Sequence, residues 1–244
     1  MKRRAFIVVG PKSSRHGDLP GTEADAQNYV DYLQSSEGGA WNPDEISVFR
    51  NPSRAALKHA LSSTWGVDYV FLAFSGHGYH IQGGELDETR LLLNDGEEMS
   101  VPEFTTGQNR ELVIIDACRK VEYTAEPEGR IFANLSEVEK SGYTRLQCRA
   151  LFERKVMEAE EGRIEMYSCD LNQAAGESRR GGFFTRALLD GARQWAKSLI
   201  YSGSHTLSTR EAFAIAEKGT RKPQRPQYHP GRRLVHFPFD VMIR

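Results

Sequence analysis

Short apolar runs recur along the chain, and the polar stretches between them carry helical periodicity. Ala5–Val9, Ile46–Phe49, Tyr69–Phe74, Leu112–Ile115, Ile164–Tyr167 and Leu234–Phe237 have the length and character of strands. Thr22–Leu33 puts Ala26, Tyr29, Val30 and Leu33 on one helical face, with Thr22 as N-cap. Ser53–Leu61 repeats the pattern behind Ser53, and Phe183–Trp195 behind Phe184, Ala187, Leu188, Ala192 and Trp195. Glu211–Lys218 offers a fourth, shorter helix. Alternating strands and helices predict crossover connections and a mostly parallel sheet covered on both faces. Phe71–Phe74 and Leu112–Ile115 are continuously apolar, as buried central strands are. The predicted class is α/β, and 244 residues without an internal repeat suit one domain over residues 1–244.

Charge narrows the function classes. Lys and Arg total 32 against 33 Asp and Glu, which argues against a generally basic nucleic-acid binder. No apolar run approaches the roughly 18 residues of a membrane helix. Ala5–Val9, behind Lys2, Arg3 and Arg4, is too short for a signal-peptide core. Three cysteines form no disulfide framework, so the expected setting is cytoplasmic with reduced thiols. Arg119–Arg163 breaks the rhythm: nine of its 45 residues are basic and nine acidic, with a helix expected around Ala150–Glu161. Thr220–Arg233, with five basic residues and three prolines, reads as a solvated extended loop.

Ligands of open parallel sheets bind at the carboxyl ends of strands. Phe71–Phe74 runs into Ser75-Gly76-His77-Gly78, and Leu112–Ile115 into Asp116-Ala117-Cys118-Arg119. If the two strands are neighbours, His77 and Cys118 emerge side by side. A histidine is the base a thiol needs to become a nucleophile. Glycines flanking His77 let a substrate backbone approach, and the amides of Gly78 and Cys118 are candidate oxyanion donors.

These two motifs resemble the paired signatures of the caspase and metacaspase family of cysteine proteases, with 41 positions between His77 and Cys118. Leu19-Pro20-Gly21 through Asp25-Ala26, Tyr167-Ser168-Cys169 with Ala175-Gly176-Glu177, and Gly182-Phe183-Phe184-Thr185-Arg186-Ala187-Leu188-Leu189 resemble three further family segments in order. The resemblance implies a three-layer caspase-like sandwich with a mostly parallel six-stranded sheet. It implies a Cys–His dyad cutting protein or peptide substrates. True caspases carry Gln two positions before the cysteine; this chain has Asp116, and Lys120 where they have Gly. An acid there resembles metacaspases and paracaspases, which cleave after Arg or Lys. A carboxylate binds a guanidinium through two charge-assisted hydrogen bonds and repels an acidic side chain. Asp25 matches a second pocket acid, and Asp170 is a candidate third.

A peptide is expected to dock as an added strand along Gln173–Glu177. The charged segment falls where the family carries its activation linker, so Arg130, Arg145, Arg149, Arg154, Lys155 and Arg163 are candidate processing sites for the chain itself or an upstream protease. No cofactor is expected. Metacaspases often need calcium, yet Asp95, Glu97 and Glu98 show no ligand spacing, and the histidines no metal pattern. His80 reads as a solvated loop residue, and Trp41, Trp65 and Trp195 as core or rim aromatics. The absence of a separate prodomain resembles compact prokaryotic members, some of which serve antiphage or cell-death pathways. The rival readings are a catalytically silent scaffold or regulator, a legumain- or gingipain-type protease, and a nucleotide-binding domain. Gly10-Pro11-Lys12-Ser13 fits no phosphate loop.

Overall fold

The computed structural model describes residues 1–83, 86–121 and 142–244. Its central sheet is built from β1 (Arg3–Val9), β2 (Ile46–Arg50), β3 (Tyr69–Gly76), β7 (Arg110–Ala117), β8 (Gly162–Tyr167) and β12 (Gln227–His229), in the order β12-β8-β7-β3-β1-β2. All pairings are parallel except that of β12 with β8. β3 and β7 are neighbours, in register from Val70 opposite Glu111 to Gly76 opposite Ala117.

Both faces are covered, which is why the middle of each central strand is apolar on both sides. Ala5, Ile7, Val9, Phe71, Ala73, Leu112 and Ile114 face four helices: α1 (Gly21–Gln34), α3 (Gly142–Glu158), α4 (Phe183–Ser198) and α5 (Thr209–Gly219). Phe6, Val8, Val70, Leu72, Phe74, Val113 and Ile115 face α2 (Arg54–Ser62) and an antiparallel meander of β4 (Gly78–Gly83), β5 (Leu86–Asn94) and β6 (Glu97–Ser100). Two further pairs complete the fold: β9 (Glu177–Ser178) with β10 (Gly181–Gly182), and β11 (Ser204–Ser208) with β13 (Pro238–Ile243). The result is the three-layer α/β sandwich with a six-stranded sheet. Among the described residues no helix is long and apolar enough to cross a membrane.

Several local expectations need correction. Ser53 caps α2 as expected, accepting from the Ala56 amide at 3.2 Å. Thr22 lies inside α1, its hydroxyl donating to the Leu19 carbonyl, and Pro20 is the cap. Leu234–Phe237 is not a strand: Leu234 is solvent-exposed, and β13 begins at Pro238. Helix α3 starts at Gly142, well before Ala150. His80 is buried at 4% exposure rather than solvated, and Trp65 is exposed while Trp41 is core.

Candidate active site

His77 and Cys118 each follow a paired strand. Ser75 lies opposite Asp116 and Gly76 opposite Ala117, so the next residues along the two strands are His77 and Cys118. Adjacent strands lie about 4.8 Å apart, which brings both residues to one sheet edge. Gly78 is where the meander turns back over the cysteine. A Cβ there would sit 2.9 Å from the Arg90 carbonyl oxygen, 3.0 Å from Ala117 Cβ and 3.1 Å from the Cys118 carbonyl oxygen, so a side chain would push the hairpin off the turn.

The imidazole has a backbone partner. Its Nε2 lies 2.8 Å from the Gly17 carbonyl oxygen. A carbonyl only accepts, so Nε2 carries the hydrogen and Nδ1 keeps its lone pair, the tautomer a general base requires. The loop bearing Gly17 is pinned by Asp95, whose carboxylate accepts from the Ser13 hydroxyl at 2.8 Å and the Ser14 amide at 2.9 Å. Those bonds hold the Asp95 carboxyl down at about 2. His16 packs its ring 5.4 Å from that of His77. Burial lowers the His77 pKa, the Gly17 contact opposing it. Burial also raises the Cys118 thiol, whose sulfur donates to the Ala175 carbonyl at 3.8 Å. Both shifts favour the neutral pair, thiol and imidazole, over a preformed ion pair.

Asp25 and Asp116 are both buried. Asp25 accepts from the Ser75 hydroxyl at 2.5 Å and from the Gly182 amide at 3.0 Å. Asp116 accepts from the Thr185 hydroxyl at 2.7 Å and its amide at 3.1 Å. A Cβ at Gly181 would run into the Asp25 carboxylate, and one at Gly182 into that of Asp116, so two glycines of one short strand seat both acids. Among the described residues no Lys or Arg pairs with either acid. Burial raises both carboxyls, and the charge of Asp116 raises Asp25 further.

The remaining candidates scatter. Asp170 accepts from the Leu171 amide at 2.8 Å, capping its own turn. The acid that joins the pair is Glu177, which acts electrostatically on both Asp25 and Cys118 and whose carboxylate lies against Gly21. Glu177 stood in the sequence as part of a family-like segment and of a docking edge, with no pocket role. Gly17 carried no sequence signal, because it acts through its carbonyl.

Five of the six processing candidates lie in regular elements. Arg145, Arg149, Arg154 and Lys155 lie on α3, and Arg163 lies in β8. Arg145 donates to the Gln34 and Trp41 carbonyls, Arg149 pairs with Glu45 at 2.6 Å, and Arg163 pairs with Glu165 at 2.7 Å. Arg154 and Lys155 both reach Glu158. Regular, packed backbone is a poor substrate for nicking, which favours exposed loops. Arg130 lies outside the described residues. Glu97 and Glu98 are engaged by Asn94 and Tyr79, at 3.0 and 2.7 Å.

Comparison with known proteins agrees with this geometry at the level of fold and family. The crystal structure of protein GSU0716 from Geobacter sulfurreducens is similar with a TM-score of 0.59 over 94% of this chain and 93% of that one, at 17% identity. No curated protein matches at the same significance. The caspase domain family of C14 peptidases matches residues 2–235, nearly the whole chain, and the chain therefore belongs to that family.

Proposed function

We propose that this chain is a cysteine endopeptidase that cuts protein substrates after Arg or Lys, with Cys118 as nucleophile and His77 as base. The observation carrying the specificity is the pair Asp25–Asp116: two buried carboxylates beside the cysteine turn, held only by hydroxyls and amides. Burying unpaired carboxylates is unfavourable, and a guanidinium or ammonium from a substrate relieves it. Glu177 adds negative charge on the same side.

In this reading the peptide lies along residues 173–177, and its N–H takes the Ala175 carbonyl from the thiol. Released, the thiol gives its proton to His77 Nδ1 while Nε2–H stays on Gly17. The sulfur attacks the carbonyl carbon, amides near Gly78 and Cys118 hold the oxyanion, and the imidazolium protonates the leaving amine. Water then hydrolyses the thioester with His77 again as base. In this reading activation by cleavage favours Arg130 over the other five basic candidates, whose backbone lies in α3 and β8, because nicking prefers exposed loops.

The test is turnover of a fluorogenic peptide ending in Arg by wild type, Cys118→Ala and His77→Ala. Cys118→Ala abolishes turnover and His77→Ala lowers kcat by about 10³-fold or more in this reading. Turnover that survives Cys118→Ala would place the nucleophile elsewhere. Silence of wild type that persists after nicking would favour the scaffold.

A further inference from the structure

Arg119, the residue after the candidate nucleophile, is buried at 7% exposure, and among the described residues no carboxylate pairs with it. A buried guanidinium is costly unless its donors are met. Here its carbon stands 4.1 Å from the Tyr167 ring centroid, its Nη1 donates to the Cys169 carbonyl at 3.3 Å, and its Nε donates to Thr89 Oγ1 at 3.1 Å.

The Thr89 contact opens a directed series. Arginine only donates, so Thr89 Oγ1 accepts and its own hydrogen is free for His80 Nδ1 at 3.2 Å. That leaves His80 Nε2–H to donate to Asp87 Oδ1 at 2.7 Å. From the Arg119 Nε–H to Asp87, each link in the series has its donor facing an acceptor. The backbone is tied in the same place: the Arg119 amide donates to the Gln173 carbonyl at 2.9 Å, the Asn172 amide to the Arg119 carbonyl at 2.8 Å, and the His80 amide to the Lys120 carbonyl at 3.0 Å. Residue 119 thus joins the cysteine turn to the β4–β5 hairpin on one side and to the 170–177 loop, which carries Ala175, on the other.

We propose that Arg119 is a positioning residue for Cys118, and that the series Thr89–His80–Asp87 fixes its guanidinium and through it the nucleophile turn. This rests on Cys118 being the reactive thiol. Removing the Thr89 hydroxyl leaves a buried Nε–H unmet, and the side chain must turn to find another acceptor. The turn then loosens, the thiol leaves its half-buried place against Ala175, and attack geometry is lost.

The experiment uses the full chain with Thr89→Val, Thr89→Ser, Arg119→Lys and the Thr89→Val/Arg119→Lys double variant. Labelling of each cysteine by iodoacetamide is followed by peptide mass spectrometry, alongside kcat and KM on an Arg peptide. Thr89→Val should label Cys118 about five-fold faster, with Cys148 and Cys169 still unlabelled, and lower kcat about ten-fold with KM within about two-fold. Thr89→Ser should restore wild-type values to within about two-fold, and the double variant should be no worse than Arg119→Lys alone. His80→Phe keeps the ring volume, removes both nitrogens, and should give the same pattern if Thr89→Val does not fold. Unchanged or slower labelling of Cys118, equal losses in Thr89→Ser, or fully multiplicative losses in the double variant would overturn the assignment. If wild type cuts no peptide even after nicking, the protease reading fails while the labelling pattern still decides this one.

Discussion

The chemistry of this site is set by burial more than by charge pairing. Burial pushes the His77 imidazole down and the Cys118 thiol up, which disfavours a thiolate at neutral pH. Labelling of Cys118 by iodoacetamide should therefore keep rising through pH 9, above the ordinary thiol value; a plateau already reached at pH 6 would mean a preformed thiolate–imidazolium pair. The same logic applies to Asp25 and Asp116 with the opposite consequence for stability. Their folded-state pKa values are raised, so their ionisation opposes folding, and stability falls as pH rises through those values. Asp116→Asn keeps an acceptor for Thr185 and removes the charge. Its Tm at pH 8 should exceed that of wild type by a few degrees, while kcat/KM on an Arg peptide falls by about 10²-fold or more. A lower Tm with unchanged turnover would show Asp116 to be a structural acid.

At the scale of elements, the sequence was readable where pattern and burial coincide. The five parallel strands and helices α1, α2, α4 and α5 are continuous or periodic in apolar residues because they cover or fill the sheet. The β4–β6 meander escaped because the first half of β5 is polar on both faces, with Glu88 and Arg90 on one and Asp87 and the buried Thr89 on the other, although Leu91 and Leu93 already alternate inward. Leu234–Phe237 misled in the other direction: local apolarity without a neighbouring strand makes no sheet. Motif residues on strand ends were legible because chain position fixes them. Gly17, Glu177 and the Arg119 series were not, since a backbone carbonyl, a loop acid and a cross-hairpin hydroxyl meet only after folding. Within the described part of the charged segment, charge also serves packing. Arg149 pairs with Glu45 and Glu153, and Arg3 reaches the same Glu45. Arg149→Ala should thus lower stability by about 1–2 kcal/mol in a urea titration and leave any self-processing unchanged. A processed wild type beside an uncut, fully stable variant would restore Arg149 as a cleavage site.

For the molecule as a whole, one sheet edge gathers the candidate parts from distant stretches of chain. Asp25 comes from α1, Ser75 and His77 from the end of β3, Asp116 and Cys118 from β7, and Gly181, Gly182 and Thr185 from β10 and the start of α4. That convergence is what a mostly parallel sheet offers at its carboxyl end, and the charge of Asp116, two residues before Cys118, acts on the thiol. The proposed specificity requires that Asp25 and Asp116 read positive charge. Matched fluorogenic peptides ending in Arg, in citrulline, the uncharged isostere of Arg, and in Asp test it most directly, at neutral pH under reducing conditions, with Cys118→Ala as the blank. The Arg peptide should be cut at least about 10²-fold faster than the citrulline peptide, and the Asp peptide not at all. Equal turnover of Arg and citrulline, or a preference for Asp, would contradict it.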